Sequence, residues 1–136
     1  KIRGDAIFWL DPQPQHPAEC AFTTQIESLI RYLNRECYMG LAAHEFHYAY
    51  YATGTFYKRH LDQFKQDDAR KLSIITYLNP AWQTEDGGEL VLYLPDHTEK
   101  RIPPSMGTTV IFRSHALEHE VLNTHTPRLS LTGWIK

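Results

Sequence analysis

Phe56-Tyr57-Lys58-Arg59-His60-Leu61-Asp62 is the stretch on which the fold of this chain turns. Phe56 to Leu61 reads as a strand. Side chains two residues apart on a strand project from one face, so His60 and Asp62 are expected to present an imidazole and a carboxylate to the same space. A second imidazole, His119, opens another strand-like segment that runs to Leu122, and Arg128 follows nine residues after it. Groups this far apart in the chain converge only if two sheets fold over one another. Two imidazoles and a carboxylate on one face of an octahedron leave three positions open, the ligand set of a non-haem Fe(II) site. His-x-Asp alone is a frequent chance pattern. Its weight here comes from the order, the spacing and the strand-like flanks together.

Working outward, Phe46 to Tyr51, Leu72 to Leu78, Glu89 to Leu94, Thr108 to Phe112 and Leu129 to Ile135 read as further strands. Turn chemistry separates them at Asn79-Pro80, Gly87-Gly88, Pro95-Asp96, Pro103-Pro104 and Gly107. One helix precedes the series. Thr24-Gln25-Ile26-Glu27 has the form of a capping box, Ile26, Leu29, Ile30 and Leu33 follow at helical spacing, and Gly40 supplies a stop. That apolar stripe is expected to pack on the core. Short, punctuated strands after a single helix predict a mainly β (α+β) fold, a double-stranded β-helix (jelly-roll) with an N-terminal packing helix. The 136 residues contain no repeats or low-complexity tracts and are expected to form a single domain, 1–136.

Hydrophobic residues make up 42% and charged residues 22% of the sequence, as in ordinary globular proteins. A net charge of −2 gives no basic footprint, which argues against nucleic acid as a partner. Apolar runs such as Leu90-Val91-Leu92-Tyr93-Leu94 are too short to span a bilayer, so no membrane partner is expected. No secretory signal opens the sequence, and Cys20 and Cys37, which lack metal-type or redox-type spacing, read as free thiols. Cytoplasmic localisation is the expectation. The sequence begins and ends abruptly in structure-like stretches, which leaves open whether it is a trimmed fragment of a longer protein.

Arg128-Leu129-Ser130-Leu131-Thr132-Gly133-Trp134 alternates strictly, which puts Arg128, Ser130, Thr132 and Trp134 on one face. A polar face that carries an Arg and ends in Trp suits the lining of a ligand-holding barrel better than it suits solvent. Arg matches a carboxylate bidentately through its planar fork, so Arg128 is a natural anchor for a dicarboxylic cosubstrate. A rival metal motif is His115-Ala116-Leu117-Glu118-His119, the H-x-x-E-H form of inverted zinc peptidases, which needs a helix. Strand-like Val110-Ile111-Phe112 before it and Val121-Leu122 after it argue against one, and zinc there leaves His60, Asp62 and Arg128 unexplained. His44 and His47 are expected to be surface or loop residues. His115 and His125 read as solvated flanks of the site.

At six places the chain resembles the 2-oxoglutarate/Fe(II) dioxygenases, and within them the prolyl hydroxylases related to those that modify hypoxia-inducible factor. These are Ile2-Arg3-Gly4-Asp5-Ala6-Ile7-Phe8-Trp9, Tyr51 through Asp62, Thr76-Tyr77-Leu78-Asn79, Gly87-Gly88-Glu89-Leu90, His119-Glu120-Val121 and Arg128 through Trp134, in the family's order. The resemblance implies Fe(II) bound by His60, Asp62 and His119, 2-oxoglutarate and O2 as cosubstrates, and ascorbate as an optional reductant. It implies that Arg128 pairs with the distal carboxylate of 2-oxoglutarate, that Tyr77 donates a hydrogen bond to that group, and that Thr132 helps beside them. Tyr51 and Tyr57 would line the pocket near metal and cosubstrate, Tyr57 on the substrate side, and Arg70 and Trp134 would border the substrate proline. A plain aromatic core is the competing role for Tyr51, Tyr57 and Trp134. Arg3 to Trp9 resembles the mobile segment that closes over the substrate.

The activity so implied is hydroxylation of prolyl residues in a cytosolic protein or peptide, with succinate and CO2 as coproducts. Two alternatives stand beside it: a 2-oxoglutarate dioxygenase acting on a free amino acid or other small molecule, and a non-catalytic module that senses 2-oxoglutarate or oxygen. Two departures bear on the substrate. Gln63-Phe64 stands where the hypoxia-factor enzymes have Asn-Pro, and the sequence stops just beyond Trp134, without the C-terminal extension that helps those enzymes grip a peptide.

Overall fold

Alternation along the sequence becomes two facing sheets. The computed structural model describes residues 1–62 and 69–136, so the altered rim expected at Gln63-Phe64 lies outside the described residues. In chain order the elements are β1 (Ala6–Trp9), α1 (Pro17–Cys37), β2 (His44–Tyr51), β3 (Tyr57–His60), β4 (Leu72–Tyr77), β5 (Leu90–Tyr93), β6 (Glu99–Ile102), β7 (Thr109–Arg113), β8 (Glu118–Val121) and β9 (Arg128–Ile135). The larger sheet runs β1-β2-β9-β4-β7 and the smaller β3-β8-β5-β6. Every pairing within them is antiparallel. This is the predicted jelly-roll.

Strand period assigns the two faces of the larger sheet to different jobs. On the outer face Phe46, Leu72, Ile74, Leu131 and Ile135 form one buried core with Ile26 of α1, and Leu29, Ile30 and Leu33 pack against it. The predicted helical stripe is therefore core. Each such side chain, fully buried, stabilises by roughly 1.5–3 kcal/mol. On the inner face the register lines up His47, Thr132 and Ile75, then Ala49, Ser130 and Tyr77, then Tyr51 and Arg128. A slip of one residue would exchange the polar wall for the apolar core, so burial fixes the register. Opposite Phe46 the β9 strand uses Gly133: a Cβ there would lie 2.1 Å from the Glu45 carbonyl oxygen and 2.4 Å from the Phe46 ring.

Three expectations need correction. Helix α1 begins at Pro17, well before the Thr24-Glu27 box, because Pro17 is preset for the first turn and the His16 ring accepts from the Ala18 amide at 3.1 Å. A strand, β1, precedes the helix. It pairs with β2, while Ile2 and Gly4 just before it exchange backbone hydrogen bonds with Lys58 and Phe56, so the segment expected to close over the substrate ties both sheets together at the cavity mouth. Finally, β3 ends at His60, and Asp62 lies beyond it in a bend, not on one strand face with His60.

Candidate metal centre and adjoining cavity

His60 closes β3 and His119 stands directly opposite on β8. A register shift between Tyr57 and His60 marks an irregularity of the kind that re-aims side chains. Asp62 is brought to them by a contact from the other sheet. Its Oδ2 accepts from Ser73 Oγ of β4 at 2.7 Å, and Ser73 Oγ is in turn 2.9 Å from Ser114 Oγ. Oδ1 is left facing the histidines, 3.4 Å from His60 Nε2 and 3.3 Å from His119 Nε2. The rings are oriented by their other nitrogens, since His60 Nδ1 lies 2.7 Å from the Lys58 carbonyl and His119 Nδ1 3.3 Å from that of Leu117. An Nδ1–H donating to a carbonyl leaves the lone pair on Nε2, which is what a metal requires.

The ligand atoms of His60, Asp62 and His119 all lie within 4.8 Å of one another, and among the described residues no other trio of His, Cys, Asp or Glu does so. Burial pushes the Asp62 carboxyl up, but hydrogen bonding with His119, His60 and Ser73 outweighs it and holds the group well below the usual carboxylate range. An anionic oxygen and two imidazole nitrogens fit ferrous iron with open positions. His115, by contrast, is exposed in a turn, and Glu118 and His119 lie on a strand, so the helix that a zinc peptidase motif needs does not form. His125 is exposed as expected.

The cluster lines a cavity of about 330 Å³ whose walls include Tyr51, Tyr57, Arg70, Arg128, Thr132 and Trp134. Arg128 is only 2% exposed, yet among the described residues its guanidinium has no carboxylate partner. Its Nε donates to the Gly88 carbonyl at 2.7 Å, and its Cζ sits 4.9 Å and 5.1 Å from the ring centroids of Tyr51 and Tyr77. Among the described residues the buried Tyr77 hydroxyl has no acceptor for its proton. Burial, opposed by the charge of Arg128 and by a hydrogen-bonding approach of its guanidinium to the phenol oxygen, pushes that phenol up to about 12, so it keeps its proton, which is free to be donated. Burial likewise raises Tyr51. A buried cation and an orphaned donor, side by side, fit the carboxylate of a diacid. Thr132 lies on the same face, its Oγ1 3.1 Å from Ser130 Oγ.

Toward the mouth, Tyr57 stacks on His60 at 3.7 Å, and Arg3 lies over the other ring partner at 4.3 Å from the Tyr57 centroid. Arg3 also holds Asp5 through two contacts of 2.6 and 2.5 Å. Arg70 covers the Trp134 ring at 3.6 Å and donates to the Asp62 backbone carbonyl at 3.2 Å. The residues expected to hold metal, cosubstrate or substrate thus meet at one cavity, Tyr77 through its contact with Arg128. Several that matter here escaped that reading. Ser73 anchors the carboxylate, and Gly88 receives Arg128 at φ +67°, where a Cβ would lie 3.1 Å from Arg128 Cδ. Asn79 clamps both backbone groups of Leu129, next to Arg128, a role that neither its place in the Asn79-Pro80 turn nor the resemblance of Thr76 to Asn79 specifies. His47 is neither surface nor loop: it is buried on β2 and lines the cavity. Only the Gly-Gly pair left a local signal.

Comparison with known proteins agrees with this geometry. The family model described as the 2OG-Fe(II) oxygenase superfamily matches residues 46–136. The chain is similar to a Pseudomonas putida prolyl-4-hydroxylase, at 43% identity and TM-score 0.95, over 99% of this chain and 73% of that one. It is also similar to a Trichoplax adhaerens prolyl hydroxylase in complex with a peptide fragment of the hypoxia inducible factor oxygen degradation domain. There the identity is 29% and the TM-score 0.87, over 98% of this chain and 63% of that one. Egl nine homolog 1 of Homo sapiens is 26% identical over 98% of this chain and 33% of its own length. The chain spans a third or less of the length of the curated relatives it matches.

Proposed function

We propose, from the premise that this chain belongs to the 2OG-Fe(II) oxygenase superfamily, that it hydroxylates prolyl residues of a protein or peptide. One observation carries this: the His60–Asp62–His119 cluster lines the same cavity as the buried Arg128, whose guanidinium has no carboxylate partner among the described residues. Ferrous iron with 2-oxoglutarate, when bound, supplies the oxidising power that turns 2-oxoglutarate and O2 into succinate, CO2 and a hydroxylated substrate carbon. The side chains of this protein hold and orient. His60 and His119 offer Nε2 and Asp62 offers Oδ1, each fixed by a backbone carbonyl or by Ser73. Arg128 neutralises the far carboxylate of the cosubstrate, and the Tyr77 hydroxyl donates to it. Tyr57 against His60, and Arg70 against Trp134, form walls that exclude water beside the metal.

Two similar proteins described as prolyl hydroxylases, one of them seen with a peptide, support a prolyl substrate. A cytoplasmic protein as the source of that residue is part of the same proposal. The test is incubation with Fe(II), 2-oxoglutarate, ascorbate and a library of proline-containing peptides in air. Succinate release coupled to the gain of one oxygen atom on proline is expected, and His60→Ala should abolish both. Succinate formed only with free amino acids would replace the peptide with a small-molecule substrate. Tight 2-oxoglutarate binding without any turnover would leave a sensing module.

A further inference from the structure

We propose that His47 determines substrate specificity, its Nε2 accepting a hydrogen bond from a backbone N–H of the peptide beside the reacting prolyl residue. This rests on the prolyl hydroxylase reading above and adds how the peptide is recognised. His47 is 3% exposed, belongs to the cavity wall and takes no part in holding the metal. Its ring is fixed, with Trp9 edge-on at 5.0 Å and Trp134 at 5.6 Å. Nδ1 lies 3.2 Å from the Tyr48 carbonyl and donates to it, which puts the lone pair on Nε2. Among the described residues nothing donates to that lone pair.

Position separates His47 from the cosubstrate. Tyr51, beside Arg128, is four residues further along β2 on the same face, or about 13 Å at roughly 3.3 Å per residue. A five-carbon diacid has four carbon–carbon bonds of about 1.5 Å, so it reaches no more than about 6 Å. With its far carboxylate at Arg128, 2-oxoglutarate ends well short of His47 and of Thr132, which stands opposite His47 and so belongs to the substrate end and not beside the far carboxylate. The imidazole therefore lies in the part of the cavity left for the prime substrate, between Trp9, Arg70 and Trp134.

Polar inventory defines what it can read. Around this end, the Asp5 carboxylate is taken by Arg3, and the Ser130 and Thr132 hydroxyls are bonded to each other. Asp62 serves the metal. Among the described side chains at this end, His47 Nε2 is the acceptor left over. Charged groups facing it are Arg3 and Asp5 from the N-terminal segment and Arg70 from the run into β4. Burial, reinforced by Arg3 and Arg70 and opposed by the Tyr48 carbonyl and Asp5, keeps the imidazole neutral and able to accept. A prolyl nitrogen within a peptide carries no hydrogen, so the donor must be the N–H of a flanking residue.

The test uses the best proline-containing peptide from the library, together with versions in which one flanking amide is replaced by an ester. His47→Leu should lower kcat/KM for the amide peptide about 10-fold or more, while KM for 2-oxoglutarate and Fe(II) affinity change less than about 2-fold. The ester at the recognised position should be equally poor with wild type and no poorer with His47→Leu, giving a non-additive cycle. His47→Gln, which keeps an acceptor, should recover part of the loss. If His47→Leu fails to fold, the wild type alone decides: with Zn(II) and 2-oxoglutarate bound, the 15N resonance of His47 Nε2 should move on adding the amide peptide and not the ester. Wild-type kcat/KM in His47→Leu, independent losses, or an unmoved resonance would overturn the role of His47 alone. No peptide hydroxylation by the wild type would overturn the prolyl hydroxylase reading and this inference together.

Discussion

Tyr77→Phe should make the protein more stable and a weaker binder of 2-oxoglutarate. Tyr77 is fully buried, and among the described residues its O–H has no acceptor, Arg128 offering only donors to the oxygen. An unpaired buried hydroxyl costs about 1–3 kcal/mol relative to water. The phenylalanine ring keeps its place in the core cluster that Tyr77 shares with Ile75, Leu90, Leu92, Val110 and Phe112, so removing the oxygen should gain about 1 kcal/mol. For a chain of this length that is a rise in Tm of about 3–5 °C. When 2-oxoglutarate is bound, the same hydroxyl donates to an anion, a bond worth about 1.5–3 kcal/mol, so its loss raises Kd at least about tenfold. Linkage converts this into a crossing. At 2-oxoglutarate 100 times the wild-type Kd, the ligand stabilises wild type by about 2.7 kcal/mol, against about 1.4 kcal/mol for a tenfold weaker variant. Thermal melts of the Mn(II)-loaded proteins across a 2-oxoglutarate titration should therefore show the variant ahead without ligand and behind with it. A variant that melts lower without ligand, at unchanged Kd, would refute the assignment of an orphaned hydroxyl waiting for a carboxylate.

Arg128→Ala should raise KM for 2-oxoglutarate by about 100-fold or more, since two charge-assisted bonds are lost, while metal analysis finds iron content nearly intact. Ser73→Ala removes the donor that aims Asp62 and should weaken Fe(II) binding about 10- to 100-fold by equilibrium dialysis, with the fold preserved by circular dichroism. Stability should depend on pH through His47, whose pKa burial holds below its ordinary value of 6.5. The unfolded chain then takes up this proton first as pH falls. Stability is flat above about pH 6.5 and declines as pH drops from there through the folded-state pKa; denaturant melts should show His47→Leu removing that part of the decline.

What could be read from sequence followed the strength of local signals. Leu72 to Tyr77 carries the β-branched run Ile74-Ile75-Thr76 and is buried almost throughout, and Arg128 to Ile135 alternates, so both strands and their cavity face were legible. β1 was not. Its four residues are all exposed, and it becomes a strand only because β2 lies beside it. β6, Glu99-Lys100-Arg101-Ile102, is an edge strand with three exposed charged residues and lacks the apolar alternation of its neighbours. The start of α1 was misplaced because histidine is an unusual N-cap and Thr24-Glu27 imitates a common one. His47 was misread for a different reason: only its alignment with Thr132 across β2 and β9, and with Trp9 across β1 and β2, buries it. Cross-strand register of that kind leaves no mark in a window of neighbouring residues.

Asp62 joins the two sheets. Its Oδ2 is bound to Ser73 of the larger sheet, while its Oδ1 faces His60 and His119 of the smaller. A cation at Oδ1 and the two Nε2 atoms would therefore couple β3 and β8 to β4 directly. Elsewhere the larger sheet is held by α1 and its outer core, which the metal does not touch. Chelation should accordingly act unevenly. Removing the metal with EDTA is expected to speed amide exchange at the β3–β8 pair and the 69–72 entry to β4, with little change in β2, β9 and the face of α1. Hydrogen exchange followed by mass spectrometry resolves these segments, and rates should return on adding Mn(II). Opening of low-stability segments ahead of the global transition is what such exchange reports. An even loss of protection across both sheets, or none at β3 and β8, would show that the carboxylate does not bridge them through the metal.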